Sequence, residues 1–594
     1  MSYAYAGKGL QVDLSSGKIE EIYVETEILQ KYLGGKGLGI KLLYDRVKEG
    51  TDPLSEDNEL IFLTGPLTYT ITPTAGRLCV VTKSPLTGIH TDGYVGGFFG
   101  AKFKSQGIDF LIIRGKADKP VYLLIDDGKV EIKDASDLWG KNIFEVDDIL
   151  KERHKGVSTA VIGVAGEKLC RFACISFDKG RQAGRCGPGA VMGSKNLKAI
   201  CVTQGKWRPN LYKKEEFTEY AKNLHKYVET HPTKHKRHIF GTMVCIWEGI
   251  ESGIIPVRNY SGKFSNRIVE TAPEYLLMKG IDKGRTTCFA CPIRCTKISE
   301  VKKTSYKGKK YEAPEYEPVA LLGINCDIYD LDYITSAHIM CNDVGVDAIS
   351  MGNVAGFAME CVEKGLIKDK DAPRFGDAES LLKFIDLVSK REGIGDLFAD
   401  GVKRASEKIG GDSYKFAIHV KGLELAGVDP RASWGMAIAF ATADRGGCHQ
   451  RCWTPRAELY GILKENYEQF VKEVQDERCS CFSVVLCDFV PLTPAHVVKL
   501  INLATGFDLT EKDYIEMGER IWNLARLFAV REGISRKDDT LPPRFFEEKM
   551  EVPQAKPGII DKEEFEKKLS RYYELRGWDK NGIPTSKKLK QLGL

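Results

Sequence analysis

Three cysteines, Cys288, Cys291 and Cys295, stand in the stretch CFACPIRC with C-x2-C-x3-C spacing. Thiolates at that spacing can hold three corners of an iron–sulfur cluster, and a [4Fe–4S] cluster takes four ligands. Pro292 follows the second cysteine, giving the segment the small, turn-forming character of a cluster loop. Zinc is the rival metal, but zinc sites more often show a second close C-x2-C pair or histidines. The fourth ligand must come from the other cysteines among the 17 in the chain, and spacing alone does not choose it.

Two glycine segments suggest phosphate. RQAGRCGPGAVMGSKNLKAI (181–200) combines glycines with Arg181, Arg185, Lys195 and Lys198, and GYVGGFFG (93–100) is a second cluster. Glycines expose backbone N–H groups and guanidinium forks clamp phosphate, so the pair suits a large or doubly phosphorylated ligand. The G-x4-G-K-[ST] loop of nucleotide-binding proteins is absent. EAPEYEP (312–318) carries Glu312, Glu315 and Glu317, and DRGGCHQRC (444–452) sets His449 among glycines and cysteines. A Glu and a His converging on one pocket could do acid–base work. HPTKHKRHIF (231–240) holds His231, His235 and His238 among basic residues and reads as a solvated basic segment that could steer an acidic redox partner.

These groups need a scaffold. With 594 residues, two to four domains are expected. A net charge of +5 is too weak to argue for nucleic acid. The N-terminal stretch shows no basic region followed by an apolar run, and no window approaches a membrane span, so a cytoplasmic protein is expected. LIFLTGPL, RLCVVTKS, DFLIIRGKA, PVYLLIDDGKVEI and TAVIGVAG are short apolar or alternating runs bounded by turn residues, which predicts a mostly β N-terminal domain, residues 1–207. From about 211 the pattern turns helical, in domains at 208–418 and 419–594. Met351, Val354, Ala358 and Cys361 stripe one face of a helix, and Ala358 with nearby glycines leaves room for a close neighbour. LTPAHVVKLINLATGF, MGERIWNLARLFAVREGI and a last segment, DKEEFEKKLSRYYELRGW, also read as helices, the last preceded by a loop at 552–559.

Long segments carry a family resemblance: GRLCVVTKSPLTG (76–88), GGFFGAKFKSQGIDFLIIRGKA (96–117), AGRCGPGAVMGSKNLKAI (183–200), CFACPIRC (288–295), PEYEP (314–318), NDVGVDAIS (342–350), RGGCHQR (445–451), VREGISRKDDTLPPRF (530–545) and YYELRGWDKNGIPT (572–585). On these the chain resembles the aldehyde:ferredoxin oxidoreductase family of tungsten-pterin enzymes, almost end to end. The resemblance implies an α+β fold: a mostly β pterin-binding domain, then two mostly α-helical domains.

It also implies the cofactors. A tungsten bis-pterin (molybdenum being the alternative metal) would be held without a protein ligand to the metal, with Mg2+ bridging the pterin phosphates at the Tyr94 and Gln182 carbonyls. Arg77 would sit between pterin and cluster. Tyr94, Gly96 and Gly97 would line one pterin, and Arg181, Gln182, Gly184 and Arg185 the other. Asn342, Val346, Asp347, Arg451 and Leu486 match further pterin-contacting motifs. Cys487, in SVVLCDF, becomes the fourth ligand of one [4Fe–4S] cluster. The family motif there is D-x-x-G-L-C, whereas this chain has Phe482 and Val485 at its Asp and Gly, and Asn342 replaces the first Asp of the companion D-x-x-G-L-D motif. The family's E-x-x-H iron motif is missing, since none of the ten histidines has a Glu three residues before it.

The implied reaction is oxidation of an aldehyde by water to a carboxylic acid, electrons leaving to ferredoxin or to an Fe–S partner subunit of a homodimer or hetero-oligomer. Glu317 would be the acid–base residue, with Glu315 as the fallback, His449 would polarise the carbonyl, and Tyr316 would assist. Two other readings stand beside it: a reductase subunit of the benzoyl-CoA reductase type, favoured by Phe482, Val485 and the thiols of Cys448 and Cys452, and a non-catalytic Fe–S scaffold. No residue selects the substrate.

Overall fold

The computed structural model describes residues 3–551 and 558–594. The apolar runs of the first 205 residues do form strands, in two six-stranded sheets. The first runs, in spatial order, Lys18–Tyr23, Lys8–Asp13, Phe110–Arg114, Leu60–Leu63, Leu78–Lys83 and His90–Val95. The second runs Arg181–Ala183, Ile175–Phe177, Ser158–Val161, Leu197–Val202, Val121–Asp126 and Lys129–Asp134. Each sheet contains one parallel pair, and its other pairings are antiparallel.

The sheets pack on one another through alternate residues. Leu60 and Phe62 join Leu78, Val80, Leu111 and Ile113 in a core shared with Leu123, Ile125, Ile175 and Phe177. Ile61 and Leu63 point the other way, into the core built with the helices. Both faces are therefore buried, which is why LIFL is apolar throughout rather than alternating.

Beyond residue 211 the chain is mainly helical. Helix Ala348–Glu363 buries Met351, Val354, Ala358 and Cys361 as its striping predicts. A Cβ on Gly352 would stand 2.5 Å from the Leu321 carbonyl carbon, so glycine permits the close approach of the π-helical turn Val319–Gly323. Pro494–Thr505, Glu511–Arg531 and Lys562–Arg576 are the other predicted helices. Two readings are corrected. Lys562–Arg576 is not the last helix, because Ser586–Leu592 follows it. The region after 211 is not helical throughout: Asp282–Thr286, Thr296–Glu300 and Lys310–Glu312 form a three-stranded sheet that brackets the cysteine triplet. These strands are short and half-exposed and lack an apolar period, so pattern reading has nothing to find. Most of the loop read at 552–559 lies outside the described residues. No helix of the described residues is long and apolar enough to cross a membrane.

Candidate active site and cluster loop

The two glycine segments meet where the sheets join. Tyr94 lies on strand His90–Val95 opposite Cys79, and Gln182 on Arg181–Ala183 opposite Ser176. A Cβ on Gly93 would be 3.4 Å from that of Ala183, so the two strands run against each other. Gly96 is forced by the cysteine loop: a Cβ there would stand 2.8 Å from Cys288 Sγ. Gly97, at φ +85, presents its carbonyl to Phe289 N at 3.0 Å. A left-handed turn is cheap only for glycine.

One threonine ties Cys487 to the triplet. Thr74 N donates to Ala290 O at 2.9 Å, and Thr74 Oγ1 accepts from Cys487 N at 3.2 Å. Cys291, Cys295 and Cys487 pack around Val228, Ile293 and Val490. Burial pushes the Cys487 thiol up to about 12 and raises those of Cys291 and Cys295. Such thiols become ligands by losing protons when metal binds. Arg77 faces this group. Burial pulls its pKa down, but Cys487, Asp488 and Cys288 outweigh that and hold the guanidinium firmly charged. Arg181 donates to Thr296 Oγ1 at 2.6 Å and lies 3.3 Å from Glu312 Oε1.

Glu317 and His449 come together from positions 132 residues apart. Gly427 N donates to Glu317 Oε2 at 2.7 Å. Glu317 Oε1 is 3.6 Å from His449 Nδ1, and both atoms are buried without a hydrogen-bond partner. Burial lifts Glu317 to about 7, against the pull of the Gly427 N–H and Arg185. Burial, then Arg185 and Arg445, lower His449 to about 3. The imidazole is thus neutral at pH 7, and the contact is not an ion pair. Trp453 stands edge-on to both His449 and Tyr316, with ring centres 6.0 and 6.4 Å away. The Tyr316 hydroxyl donates to Gly427 O at 2.7 Å, which commits its proton to the backbone. Glu315 starts the short helix Tyr316–Pro318, and its charge acts on Arg181 and Cys295.

Arginines converge on the same place. Arg185 Nη1 donates to Gly447 O at 2.9 Å and Nη2 donates to Glu424 O. Arg445 Nη2 donates to Cys448 Sγ at 3.1 Å, and Nη1 donates to Asp92 O. Arg451 Nε donates to Asp444 Oδ1 at 2.7 Å, while Nη2 pairs with Asp92. Arg185 Nε faces Asp347 Oδ2 at 3.3 Å, yet Arg445 Nε and Arg451 Nη1 remain buried and without acceptors. Buried donors of this kind need a hydrogen-bond acceptor, which the oxygens of a phosphate-bearing ligand would supply. Burial raises the Cys448 thiol, but Arg445, Arg451 and Arg185 outweigh it and bring it below its ordinary value. Cys452, by contrast, is pushed up to about 12 by burial.

Pattern reading missed the buried network behind Tyr94. Lys36 Nζ lies 3.1 Å from Asp92 Oδ1 and also pairs with Asp444, while His90 Nε2 is 3.4 Å from Asp444 Oδ2. His90, Asp92 and Asp444 have the composition of a metal site, but Lys36 and Arg451 already supply the positive charge. No sequence signal links Lys36 to Asp444, 408 positions on.

The departures from the family motifs have local consequences. Phe482 stacks on Tyr94, ring centres 4.5 Å apart, with the Arg451 guanidinium 5.9 Å from its ring. Val485 sits at φ +64, a conformation costly for a β-branched residue. Glycines make space for its side chain: Cβ atoms on Gly35 and Gly65 would be 2.6 and 3.2 Å from Val485 Cγ2. Asn342 Nδ2 is 3.2 Å from Nε2 of His338, which burial lowers to about 4 and keeps neutral. Val346 bridges to Ala173, and Leu486 is buried. Asp347 accepts from Ile349 N and Ser350 N as the cap of helix Ala348–Glu363, and its Oδ1 would lie 3.2 Å from a Cβ on Gly184.

The family model for the N-terminal domain of aldehyde ferredoxin oxidoreductase matches residues 9–204, and the model for its domains 2 and 3 matches 219–594. The tungsten-containing aldehyde ferredoxin oxidoreductase of Pyrococcus furiosus is 39% identical, the match covering 100% of this chain and 99% of the relative. An aliphatic sulfonate oxidoreductase, WOR-like subunit, of the same organism is 33% identical over 100% of this chain and 97% of its own. Among known structures, the active-site complex BamBC of benzoyl coenzyme A reductase, in complex with 1,5-dienoyl-CoA, matches with a TM-score of 0.83 at 25% identity, covering 100% of this chain and 98% of that one. Shared from end to end in sequence and in architecture, the chain belongs to the aldehyde ferredoxin oxidoreductase family.

Proposed function

We propose that the protein oxidises an aldehyde with water, R-CHO + H2O → R-COOH + 2 H+ + 2 e−, and passes the electrons singly to ferredoxin or an Fe–S partner subunit. The observation that carries this is the part-buried Glu317–His449 pair, its facing atoms 3.6 Å apart and enclosed without hydrogen-bond partners, near the unpartnered Arg445 Nε. Tyr94, Gly96, Gly97, Arg181, Gln182, Gly184 and Arg185 would hold a tungsten bis-pterin with its Mg2+, helped by Asn342, Val346, Asp347, Arg451 and Leu486. Cys288, Cys291, Cys295 and Cys487 would hold the cluster, with Arg77 beside it. When bound, these groups supply a Lewis acid with a two-electron acceptor and a one-electron outlet.

The chain's own residues handle protons and orientation. Gly427 N–H fixes one Glu317 oxygen and leaves the other free to take a proton from the attacking water. With its pKa near 7, Glu317 populates both forms at neutral pH and can pass the proton on. Neutral His449 can donate to the carbonyl oxygen without surrendering its proton. Trp453 and Tyr316 wall the pair and help exclude water.

The test is aldehyde-dependent viologen reduction by anaerobically purified protein. Turnover of at least one aldehyde is expected, and His449→Ala should keep tungsten while losing about tenfold or more of kcat. No turnover across aliphatic and aromatic aldehydes would sink the reading. The reductase alternative draws support from the benzoyl coenzyme A reductase neighbour and would then be tested with an aryl thioester and a strong reductant.

A further inference from the structure

The basic segment at 231–240 is neither loose nor fully solvated. It forms helix Pro232–Phe240, capped by His231, and is held against the cysteine loop. His238 Nδ1 lies 3.0 Å from Ile293 O, Arg285 donates to His238 O and Ile239 O at 3.0 and 2.9 Å, and Lys297 Nζ donates to Phe240 O at 2.5 Å. The Arg237 guanidinium lies 4.2 Å from the ring of Phe489, two residues past Cys487. A single layer of protein thus separates this helix from the cysteine tetrad.

The outer face is positive. Lys213 and Arg285 nearby have acidic partners at 3.3 and 2.7 Å, but Lys222, Lys226, Lys234, Lys236, Arg237 and Arg294 have none among the described residues. The exposed acids on these elements are Glu229, beside helix Pro232–Phe240, and Glu215, Glu216 and Glu219 in the first half of helix Lys214–Thr230, while Asp488 beneath is paired with Arg478. Apolar side chains lie beside the cations. Ile71 is 43% exposed, its carbonyl bonded by His225, and Phe98 is 45% exposed and packs edge-on against Phe289 of the cysteine loop. Unpaired cations around a small apolar contact suit fast, weak, salt-sensitive association with an acidic protein.

We propose that helix Pro232–Phe240, with Lys226 and Arg294, is the docking surface for an acidic protein that carries a one-electron centre. This rests on the one-electron outlet proposed above and adds its place and the charge of the acceptor. The test compares wild type, Lys234→Glu/Lys236→Glu and a control with the same charge change on the distant helix Ser586–Leu592, Lys587→Glu/Lys590→Glu. The first readout is binding of an acidic [4Fe–4S] ferredoxin to the holoprotein by calorimetry at low salt, which needs no turnover. The second is turnover with that ferredoxin or with a small viologen as acceptor. The helix variant should lose about tenfold or more in ferredoxin affinity and in kcat/KM for ferredoxin, and lose most of its salt dependence. Viologen turnover and the control should stay within about twofold of wild type. Absence of ferredoxin binding by wild type, or equal losses in both variants, overturns the surface. Failure of the aldehyde reaction with viologen counts against the proposed function instead.

Discussion

Cys487→Ser is expected to strip most of the iron and brown colour from the protein and to abolish electron transfer to ferredoxin. The reason is geometric. Cys487 N bonds Thr74 Oγ1, and Thr74 N bonds Ala290 O inside the triplet loop, so the backbone holds Cys487 to the other three thiols. A serine hydroxyl does not replace a thiolate for iron, and binding energy here is also folding energy for the loop. Tungsten content should fall far less than iron, because the arginine and glycine elements do not depend on Cys487. Iron retained in full would remove Cys487 from the ligand set and leave Cys481, whose charge also acts on Arg77, as the next candidate.

Glu317→Gln is expected to lower kcat by about 10²–10⁴-fold with tungsten and iron retained. The pH profile adds a sharper readout. Burial raises Glu317 to about 7, so below that pH the carboxyl already holds its proton and cannot take another. Wild-type turnover should therefore rise through about pH 7 as the carboxylate forms. The residual activity of Glu317→Gln should lack that limb. His449, lowered to about 3, stays neutral across this range and contributes no limb of its own. An unchanged limb in the Gln variant would assign the titration elsewhere, Glu312 being the other carboxyl of that segment raised to about 7.

How far the sequence reveals this arrangement differs by element. The strands of the first 205 residues are legible because apolar runs between turn residues have few other uses. Their spatial order is not, since the first sheet pairs Leu10 with Leu111 across a hundred residues. The cysteine triplet is legible because its three thiols are close in sequence. Cys487 and the Glu317–His449 pair are invisible to spacing and accessible only through resemblance. Lys36, Asp92, Asp444 and Arg445 escaped both routes, for buried ion networks have no period and no motif. The basic run 231–240 is legible as basic and solvent-facing, since helix Pro232–Phe240 buries no residue, but its seat is not: Arg285 and Lys297 bond its own carbonyls and His238 bonds Ile293 O, contacts that leave no apolar period. Phe482, readable as a departure, gains meaning only in its stack on Tyr94.

A pterin-bound metal beside a single four-cysteine cluster is the central expectation for this protein, and elemental analysis of anaerobically purified protein tests it most directly. The expected result is about one tungsten, or one molybdenum in its place, with about four irons per chain, and magnesium accompanying the tungsten. Iron without tungsten or molybdenum, from cells supplied with both metals, would contradict the account and leave an iron–sulfur scaffold in its place.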